Sequence, residues 1–286
     1  MLILKTLYNI NFYEVLSFIV KMYFFNEDGT AMIPKNNNNF MKLENIYFNV
    51  TGADGVGKDS VLKNILELIT GYKTFREPGG TEEAEVIRKI ILCISDEERE
   101  NFFNYAKNLN LLPLTKDYIT KAYEIFKASG SLNKADDKTV GLMEAYLYAA
   151  SRNETNNKLV APTLEEGLTV IGSRSVACSM AYQANARNLG YELVWNINKP
   201  ALTKTPDFEI YLDIPTELAM DRLSGRTGKQ DRLDNESFEF HRKTREGYLD
   251  YYEKYCPYPV YKIDASGTIE ENTLKVLDVL NKYRQN

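Results

Sequence analysis

The feature that most constrains this chain is a glycine-rich stretch, Gly52 to Ser60, with the spacing GxxxxGK. Residues 46–51 before it are rich in β-branched and aromatic types, which predicts a strand. After it, apolar residues recur at helical spacing as far as Ile69, which predicts a helix. Between a strand and a helix, glycines let backbone amides face phosphate oxygens, and the helix directs its positive end at the same anion. The stretch therefore predicts a phosphate-binding loop.

One residue departs from the usual pattern of such a loop. Lys58 can reach the terminal phosphates of a nucleotide, but Asp59 stands where Ser or Thr usually follows the lysine. A glycine-rich turn between any strand and helix could share the spacing, so the flanking elements carry much of the argument. The predicted nucleotide-binding residues are Gly52, Gly55, Val56, Gly57, Lys58, Asp59 and Ser60.

Composition excludes several classes of protein. The chain has 286 residues, 44% hydrophobic and 26% charged, which is typical of a globular protein. Its net charge of −5 argues against a nucleic-acid partner bound through a broad basic surface. Three widely spaced cysteines indicate neither a disulfide framework nor a zinc ribbon and favour a reducing compartment, so we expect a cytoplasmic protein. We expect the single histidine, His241, to be exposed, which disfavours a Ser/His/Asp hydrolase.

Residues 1–40 differ in pattern from the rest of the chain. Their apolar run is broken by Glu14 and Lys21 and is too short to span a bilayer, and no small-residue cleavage site follows it. A run of four asparagines, residues 36–39, precedes Met41. We therefore expect residues 1–40 to be a peripheral, dispensable extension, residues 41–286 to form one domain, and the protein to have no membrane partner.

From residue 41 onward, predicted strands alternate with helical patterns. The strands are predicted at residues 46–51, 72–75, 168–172, 207–213 and 260–263. This alternation indicates βαβ units, hence an α/β fold with a parallel sheet covered by helices on both faces. Ligands of such sheets bind beyond the carboxyl ends of the strands, so residues that follow strand ends are the candidates for a site.

Residues 95–138 interrupt this alternation. They predict two or three amphipathic helices with a loop at residues 129–131. A helical insertion packed on the edge of the domain is the first interpretation, and a dimer contact is the second.

Several motifs follow one another in a specific order. They are the loop with Asp54, the loop 76–81, the helix 148–152, Ser173-Arg174 with residues 181–183, and then residues 211–215, 222–232 and 236–248. Over residues 45–92 and 140–283 the chain resembles the thymidylate kinase family. The resemblance implies a three-layer P-loop kinase fold with strand order 2-3-1-4-5. It also implies transfer of a phosphoryl group from ATP to a pyrimidine deoxynucleoside monophosphate, dTMP above all, with Mg²⁺. A homodimer is expected.

A kinase of this kind must hold two polyanions that repel each other, so cations must converge on both. Lys58 serves the donor, while Arg76 and Arg174 each follow a strand end. The resemblance implies that these two arginines bind the phosphate of the acceptor. An arginine after a strand is often only a surface charge, so the interpretation rests on the motif.

Two residues on one helix face are expected to bind the base of the acceptor. Tyr148 and Arg152 lie four residues apart and therefore share a face. The resemblance implies that Tyr148, where the family usually has Phe, stacks on the base, while Arg152 reaches a base carbonyl. Stacking needs only a flat apolar ring, which Tyr supplies. Cys178 stands where the family prefers Ser, which affects how the base is recognised.

Three further residues are expected to contact the sugar of the acceptor. A carboxylate among phosphates is electrostatically costly, and a hydroxyl ligand would account for Asp54. By resemblance, Asp54 binds the sugar 3′-hydroxyl and Tyr182 occupies the space of a 2′-hydroxyl, which favours a deoxynucleotide. Gln183 is expected in the same wall.

Residues 221–232 combine basic residues with glycines, as expected of a lid over phosphates. One branch of the family carries an arginine in the P-loop, whereas this chain has Val56. The other branch supplies the cation from the lid. Arg226, or alternatively Lys229, is therefore the candidate for stabilising the transferred phosphoryl group.

Two departures from the family pattern concern the metal. The family has a hydroxyl residue at position 59 and an acid at position 173, whereas this chain has Asp59 and Ser173. Since the two strand ends are neighbours in such a sheet, the exchanged pair could still offer Mg²⁺ one carboxylate and one hydroxyl. Ser60 could instead supply the hydroxyl, or the metal site could be lost.

Two alternative functions follow. A deoxynucleoside kinase would leave Arg76 and Arg174 without an anion and would need a carboxylate base near the 5′-hydroxyl. A nucleotide-binding protein without turnover would account for both departures at the metal positions. The sequence does not distinguish thymine from a modified or unmodified uracil base.

Overall fold

A five-stranded parallel sheet lies at the centre of the computed structural model, which describes residues 41–225 and 236–285. Its strands are β1 (Tyr47–Thr51), β2 (Tyr72–Arg76), β3 (Thr169–Ser173), β4 (Phe208–Asp213) and β5 (Val260–Asp264). They lie in the order β2-β3-β1-β4-β5, and every neighbouring pair is parallel. The predicted strands and their 2-3-1-4-5 order are confirmed. A two-residue parallel pair, Met41–Lys42 with Ile69–Thr70, is an addition that was not predicted.

Helices connect the strands. They are α1 (Lys58–Leu66), α2 (Glu82–Leu92), α3 (Asp96–Ala106), α4 (Pro113–Ser129), α5 (Asp137–Thr155), α6 (Ala161–Glu165), α7 (Val176–Ser179), α8 (Tyr191–Asn198), α9 (Thr216–Ser224), α10 (Phe238–Lys254) and α11 (Ile269–Gln285). Wider π-helical turns extend α5 through Asn156–Val160 and α7 through Met180–Ala186. Within the described ranges, no helix has the length and apolar character needed to cross a membrane.

Burial along the strands explains the layered arrangement. Every residue of the three inner strands β3, β1 and β4 is buried, whereas the edge strands β2 and β5 are partly exposed. Strands buried on both faces are typical of a parallel sheet covered by helices. Phe48 of β1 and Phe208 of β4 stack with ring centroids 5.2 Å apart and join the two inner strands within the main core.

The helical segment 95–138 has a core of its own. Its two main helices, α3 and α4, are the amphipathic helices that the sequence predicts, and Gly130 ends α4 with a positive φ of 70°. Phe103 and Phe126 stack there, at 5.7 Å between centroids, in a second apolar cluster that also includes residues of α2 and α5. The apolar faces of α3 and α4 are therefore covered from within the chain.

His241 corrects one expectation. Its charged neighbours in the sequence favoured exposure, but the side chain is only 3% exposed and its ring meets Phe240 edge-on at 6.1 Å. Thr244 and Tyr248 are buried along the same side of α10, so this side of the helix faces the protein. The prediction of a surface histidine was wrong because tertiary packing overrides local composition. Residues 1–40, assigned above to an extension, and positions 226–232 of the lid lie outside the described residues.

The close contact between β1 and β3 yields a stability prediction. A Cβ on Gly172 would lie 2.0 Å from Asn49 Oδ1 and 2.8 Å from Phe75 Cζ, and both neighbours are buried. Gly172→Ala should therefore lower the free energy of unfolding by about 1–3 kcal/mol, measured by urea denaturation. Gly225→Ala is the matched control, because its new Cβ would meet nothing closer than 3.7 Å. Equal stability of the two variants would contradict the prediction.

Candidate functional site

The phosphate loop is built where β1 ends and α1 begins. Gly55 has a φ of 84°, and a Cβ there would lie 2.4 Å from the backbone oxygen of Ala219, so only glycine fits. Lys58 is the first residue of α1, and its side chain is buried. Burial, together with the nearby charge of Arg174, lowers the pKa of Lys58, while Asp54 and Asp59 oppose that shift. The loop thus has the open backbone and the buried cation that a phosphate chain requires.

Asp54 brings three of the predicted acceptor residues together. Arg174 donates from Nη2 to Asp54 Oδ1 at 2.5 Å, and the Tyr182 hydroxyl donates to Oδ2 at 2.7 Å. Burial alone would raise the pKa of the Asp54 carboxyl, but the charges of Arg174 and Lys58 and the hydrogen bonds hold it well below its usual range. Asp54 therefore carries a full negative charge between two cations, in a position to accept from a hydroxyl.

A cleft opens beside this cluster. It is lined by Glu77, Pro78, Arg88, Leu92, Tyr148, Arg152, Arg174, Cys178, Tyr182 and Gln183. Six of these residues were predicted from the sequence, including the helix pair Tyr148 and Arg152. The cleft combines apolar and aromatic walls with three arginines, so it can contact both a flat apolar ring and an anionic group of one small molecule.

Arg152 is held firmly at the base of the cleft. Its Nε donates to both carboxylate oxygens of Glu77 at 3.0 and 3.1 Å, and Nη1 donates to Asn198 Oδ1. Burial would lower the pKa of Arg152, but the Glu77 carboxylate reverses this and raises the pKa, so the guanidinium stays charged. Glu77 and Asn198 were not predicted. Glu77 lies within the recognised loop 76–81, whereas nothing in the sequence around Asn198 points to the site.

The two arginines near the loop after β2 take different positions. Arg76 was predicted to bind the acceptor phosphate, but its side chain is 58% exposed and its nearest acidic partner is Glu85 at 3.4 Å. Arg88 lies in the cleft instead and donates to the backbone oxygen of Pro78 at 3.1 Å. Burial, with the neighbouring charge of Arg76, lowers the pKa of Arg88. A cation within the apolar run of α2 was the signal that could have identified Arg88.

The remaining predicted wall residues have defined partners. Gln183 donates from Nε2 to the buried Glu144 at 2.9 Å. The Tyr248 hydroxyl donates to Cys178 Sγ at 3.0 Å, and Tyr248 also lies edge-on to the Tyr182 ring, at 6.3 Å between centroids. Cys178 and Gln183 are therefore fixed from behind, which leaves their cleft-facing sides as a rigid wall.

A second, smaller cleft includes Asp54 in its lining. It is lined by Ala53, Asp54, Val56, Tyr211, Leu212, Asp213, Ile214, Thr216, Ala219, His241 and Arg245. Asp213 ends β4 and pairs with Arg245 at 2.8 Å and with Lys262 at 3.0 Å. Hydrogen bonds from Arg245 and Lys262 overcome the effect of burial and lower the pKa of Asp213. His241 and Arg245 were missed because both lie on α10, far from the loop in sequence.

The predicted metal residues occupy two different environments. Asp59 is exposed in the first turn of α1, and Ser173 is buried at the end of β3 beside Val50 of β1. Among residues 41–225 and 236–285, no group of three or more His, Cys, Asp or Glu side chains could hold a metal by itself. The oxygen donors of Asp59 and Ser173 suit Mg²⁺, which usually takes one or two protein oxygens and completes its shell with phosphates and water.

Together, the fold and the site define a class of protein. A P-loop on a five-stranded parallel sheet, next to a cleft that joins three arginines to an aromatic wall, is the arrangement of a P-loop nucleoside monophosphate kinase. The family profile "Thymidylate kinase" matches residues 124–276. The chain is 33% identical over 247 residues to a thymidylate kinase of Lactobacillus helveticus, covering 84% of this chain and 97% of that one.

Other relatives agree. A thymidylate kinase of Leuconostoc mesenteroides is 35% identical over 211 residues, which is 71% of this chain and 80% of the relative. One of Enterococcus faecalis is 32% identical over 254 residues, covering 85% of this chain and the whole of the relative. The chain belongs to the thymidylate kinase family.

The charge balance at Asp54 predicts a pH-dependent contribution to stability. Because its folded pKa lies below the ordinary value of about 3.9, the contribution is complete above that pH and is lost as pH falls toward the folded pKa. Asp54→Asn leaves Arg174 without its carboxylate and should lower the free energy of unfolding by about 1–3 kcal/mol at pH 7. Urea denaturation from pH 7 to pH 3 measures the difference in unfolding free energy between the wild type and Asp54→Asn. This gap should be constant above pH 5 and should shrink below pH 4.

The control is Asp117→Asn, which removes an exposed ion pair with Lys121. This change should cost less than about 1 kcal/mol at every pH. A gap for Asp54→Asn that stays constant down to pH 3 would show that the Asp54 carboxylate is not specially stabilised by the fold.

Proposed function

We propose that this protein transfers the terminal phosphoryl group of ATP to dTMP, giving dTDP. The observation that carries the proposal is the Asp54 cluster, in which Arg174 and Tyr182 join the phosphate loop directly to the acceptor cleft. A donor held by the loop and an acceptor held by the cleft would then meet near Arg174. This supports phosphoryl transfer between two bound nucleotides rather than hydrolysis or simple binding.

The donor half of the site is the loop itself. The backbone from Gly52 to Gly57 would face the donor phosphates, and Asp59 and Ser60 follow Lys58 in the first turn of α1. Lys58 is buried and begins α1 directly after Gly57, which supports a role for it in neutralising charge on the transferred group.

The acceptor half is the cleft. Tyr148 would stack on the base while Arg152 donates to a base carbonyl. Asp54 would accept from the sugar 3′-hydroxyl, and Tyr182 with Gln183 would fill the space next to the sugar. Arg88 lies in the cleft and joins Arg76 and Arg174 as a candidate for the acceptor phosphate.

Positioning and charge neutralisation are the chemistry that this site can supply. The transferred group develops charge on its peripheral oxygens, and Lys58 and Arg174 would offset it. Arg226, which lies outside the described residues, is proposed as a third cation for the same step. Asp59 and Ser173 would hold Mg²⁺, which would act as a Lewis acid and withdraw charge from the donor phosphates.

We also propose a cytoplasmic homodimer. The three cysteines are unpaired in the structure, as a reducing compartment requires. Ile94 is 61% exposed and Tyr105 is 54% exposed, both beside or within the helical segment 95–138, and these two apolar side chains are the candidate contact residues. A sedimentation-velocity experiment that found only monomer would remove the dimer from the proposal.

A coupled assay with ATP, Mg²⁺ and a panel of acceptors tests the proposed reaction. We expect dTMP to give the highest kcat/KM, dUMP and dCMP lower values, and thymidine no turnover, because the cationic cleft requires an acceptor phosphate. Turnover of thymidine in place of dTMP would identify a nucleoside kinase. Nucleotide binding with no transfer to any acceptor would identify a binding protein without catalysis.

Arginine variants provide an internal control for that assay. Arg88→Met and Arg76→Met remove one cation each and retain an apolar stem. We expect KM for dTMP to rise more in the Arg88 variant, by about tenfold, since its side chain lies in the cleft. A larger increase in KM for dTMP in the Arg76→Met variant would show that Arg76, rather than Arg88, binds the acceptor phosphate. In both variants KM for ATP should remain within about twofold.

The exchange at positions 59 and 173 predicts a compensating pair. Asp59→Thr alone removes the carboxylate and should need more Mg²⁺ for half-maximal activity. Ser173→Asp alone adds a second carboxylate beside the donor phosphates and should lower kcat by charge repulsion. The double variant restores one hydroxyl and one carboxylate and should recover most of the lost kcat. Titration of activity with Mg²⁺ measures this. A double variant as impaired as the sum of the two single changes would refute a shared ion.

A further inference from the structure

Three hydrogen bonds join the helical segment 95–138 to the chain next to Arg152 and Asn198. The backbone N–H of Leu112 donates to Glu154 Oε1 at 2.8 Å, and Thr115 Oγ1 accepts from Asn153 Nδ2 at 2.9 Å. Glu154 and Asn153 immediately follow Arg152 on α5. The start of α4 is therefore fastened to the turn of α5 that carries the cleft's buried arginine.

A third bond from α4 reaches the other partner of that arginine. The Tyr118 hydroxyl donates to the backbone oxygen of Ile197 at 2.7 Å, and both residues are buried. Ile197 directly precedes Asn198, the residue whose Oδ1 accepts from Arg152 Nη1. Tyr118 thus fixes the end of α8 from which Asn198 reaches the cleft.

The amide of Asn198 has a single consistent orientation. Its Nδ2 donates to the backbone oxygen of Val194 at 2.8 Å, which leaves Oδ1 directed at Arg152. Asn198 is completely buried, so no water competes for that contact. A buried acceptor of fixed orientation constrains the guanidinium in a way that a surface residue does not.

Arg152 is accordingly constrained on all three nitrogens. Glu77 accepts hydrogen bonds from Nε and Nη2, and Asn198 accepts one from Nη1. Ser179 Oγ lies 3.5 Å from Nη2. A guanidinium has five N–H donors in a rigid plane, so these partners leave only a narrow range of directions for the remaining N–H groups. The direction of any donor offered to a ligand is set by Glu77 and Asn198 together.

We propose that α4 is a positioning element for recognition of the acceptor's base, acting from Tyr118 through Ile197 and Asn198 to Arg152. This inference rests on the proposed function, because it takes Arg152 as the donor to a base carbonyl. It gives the helical segment 95–138 a role in selecting the acceptor rather than in packing alone. Tyr118 and Asn198 are positioning residues, since neither lines the cleft itself.

The inference predicts a change in selectivity. Thymine presents a carbonyl oxygen, O4, where cytosine presents an amino group. When an N–H donor of Arg152 points at this position, it favours the oxygen and disfavours the amino group. A change in the orientation of Arg152 should therefore reduce the preference for dTMP over dCMP. A change that only loosened the fold would lower kcat for both acceptors alike.

Tyr118→Phe tests this with the least disturbance, because it keeps the buried ring and removes one hydroxyl. We expect KM for dTMP to rise about two- to tenfold, kcat and KM for ATP to change by less than about twofold, and the dTMP to dCMP ratio of kcat/KM to fall. The matched control is Tyr123→Phe on the same helix, whose hydroxyl bonds Glu100 on α3 at 3.2 Å, within the segment. It should match the wild type.

Asn198 supplies the second arm of the test. Asn198→Ala removes the acceptor and should raise KM for dTMP by about tenfold or more, while Asn198→Asp keeps an oxygen toward Arg152 and should recover most of the selectivity. Thermal denaturation of each variant identifies any that fail to fold, and for such a variant Tyr118→Phe decides alone.

Outcomes for the two claims are distinct. A wild-type protein that does not phosphorylate dTMP overturns the proposed function and this inference with it. A wild-type protein active on dTMP, with Tyr118→Phe indistinguishable from Tyr123→Phe in KM and in the dTMP to dCMP ratio, overturns the inference alone.

Discussion

The contact between Asp54 and Arg174, at 2.5 Å, is the interaction on which the rest of the site depends. It places a carboxylate inside a loop that is otherwise built to attract anions. Such a charge is tolerated because the cations Arg174 and Lys58 lie beside it. Removal of the carboxylate would leave two cations facing each other across a small buried space, which is unfavourable in a medium of low dielectric constant. The same group therefore stabilises the empty site and offers an acceptor to a hydroxyl.

This arrangement follows from the topology of the sheet. β1 and β3 are neighbours, so the loop after β1 and the turn after β3 emerge at the same edge. Arg174 follows β3 with a positive φ of 71°, an uncommon backbone conformation for arginine that turns its side chain toward Asp54. In parallel sheets, ligand sites form at the carboxyl ends of the strands. Here these ends bring together Asp54 and Arg174, which lie 120 positions apart in the chain.

Much of this could be predicted from the sequence because the informative signals are local. Strand and helix periodicity fixed the order of elements, and the i, i+4 spacing of Tyr148 and Arg152 placed both on one wall of the cleft. Arg88 was missed because none of the recognised motifs includes it, and Asn198 because its role depends entirely on the packing of α8 against α5. The role of Arg76 at the acceptor phosphate stays a prediction, since a motif predicts the position of the backbone but not the direction of a long flexible side chain.

The buried guanidinium of Arg152 explains why distant segments are needed around the cleft. A fully buried charge is costly unless its donors are paired, and residues of α5 that share its face cannot bond a planar group from every side. Its partners must therefore come from other elements: Glu77 from the loop after β2 and Asn198 from the end of α8. Those elements can fix the orientation of the guanidinium only if they are themselves fixed. α4 provides this, because it forms hydrogen bonds to the chain beside both Arg152 and Asn198. Selection of a small planar ligand in this fold thus depends on segments that lie outside the cleft.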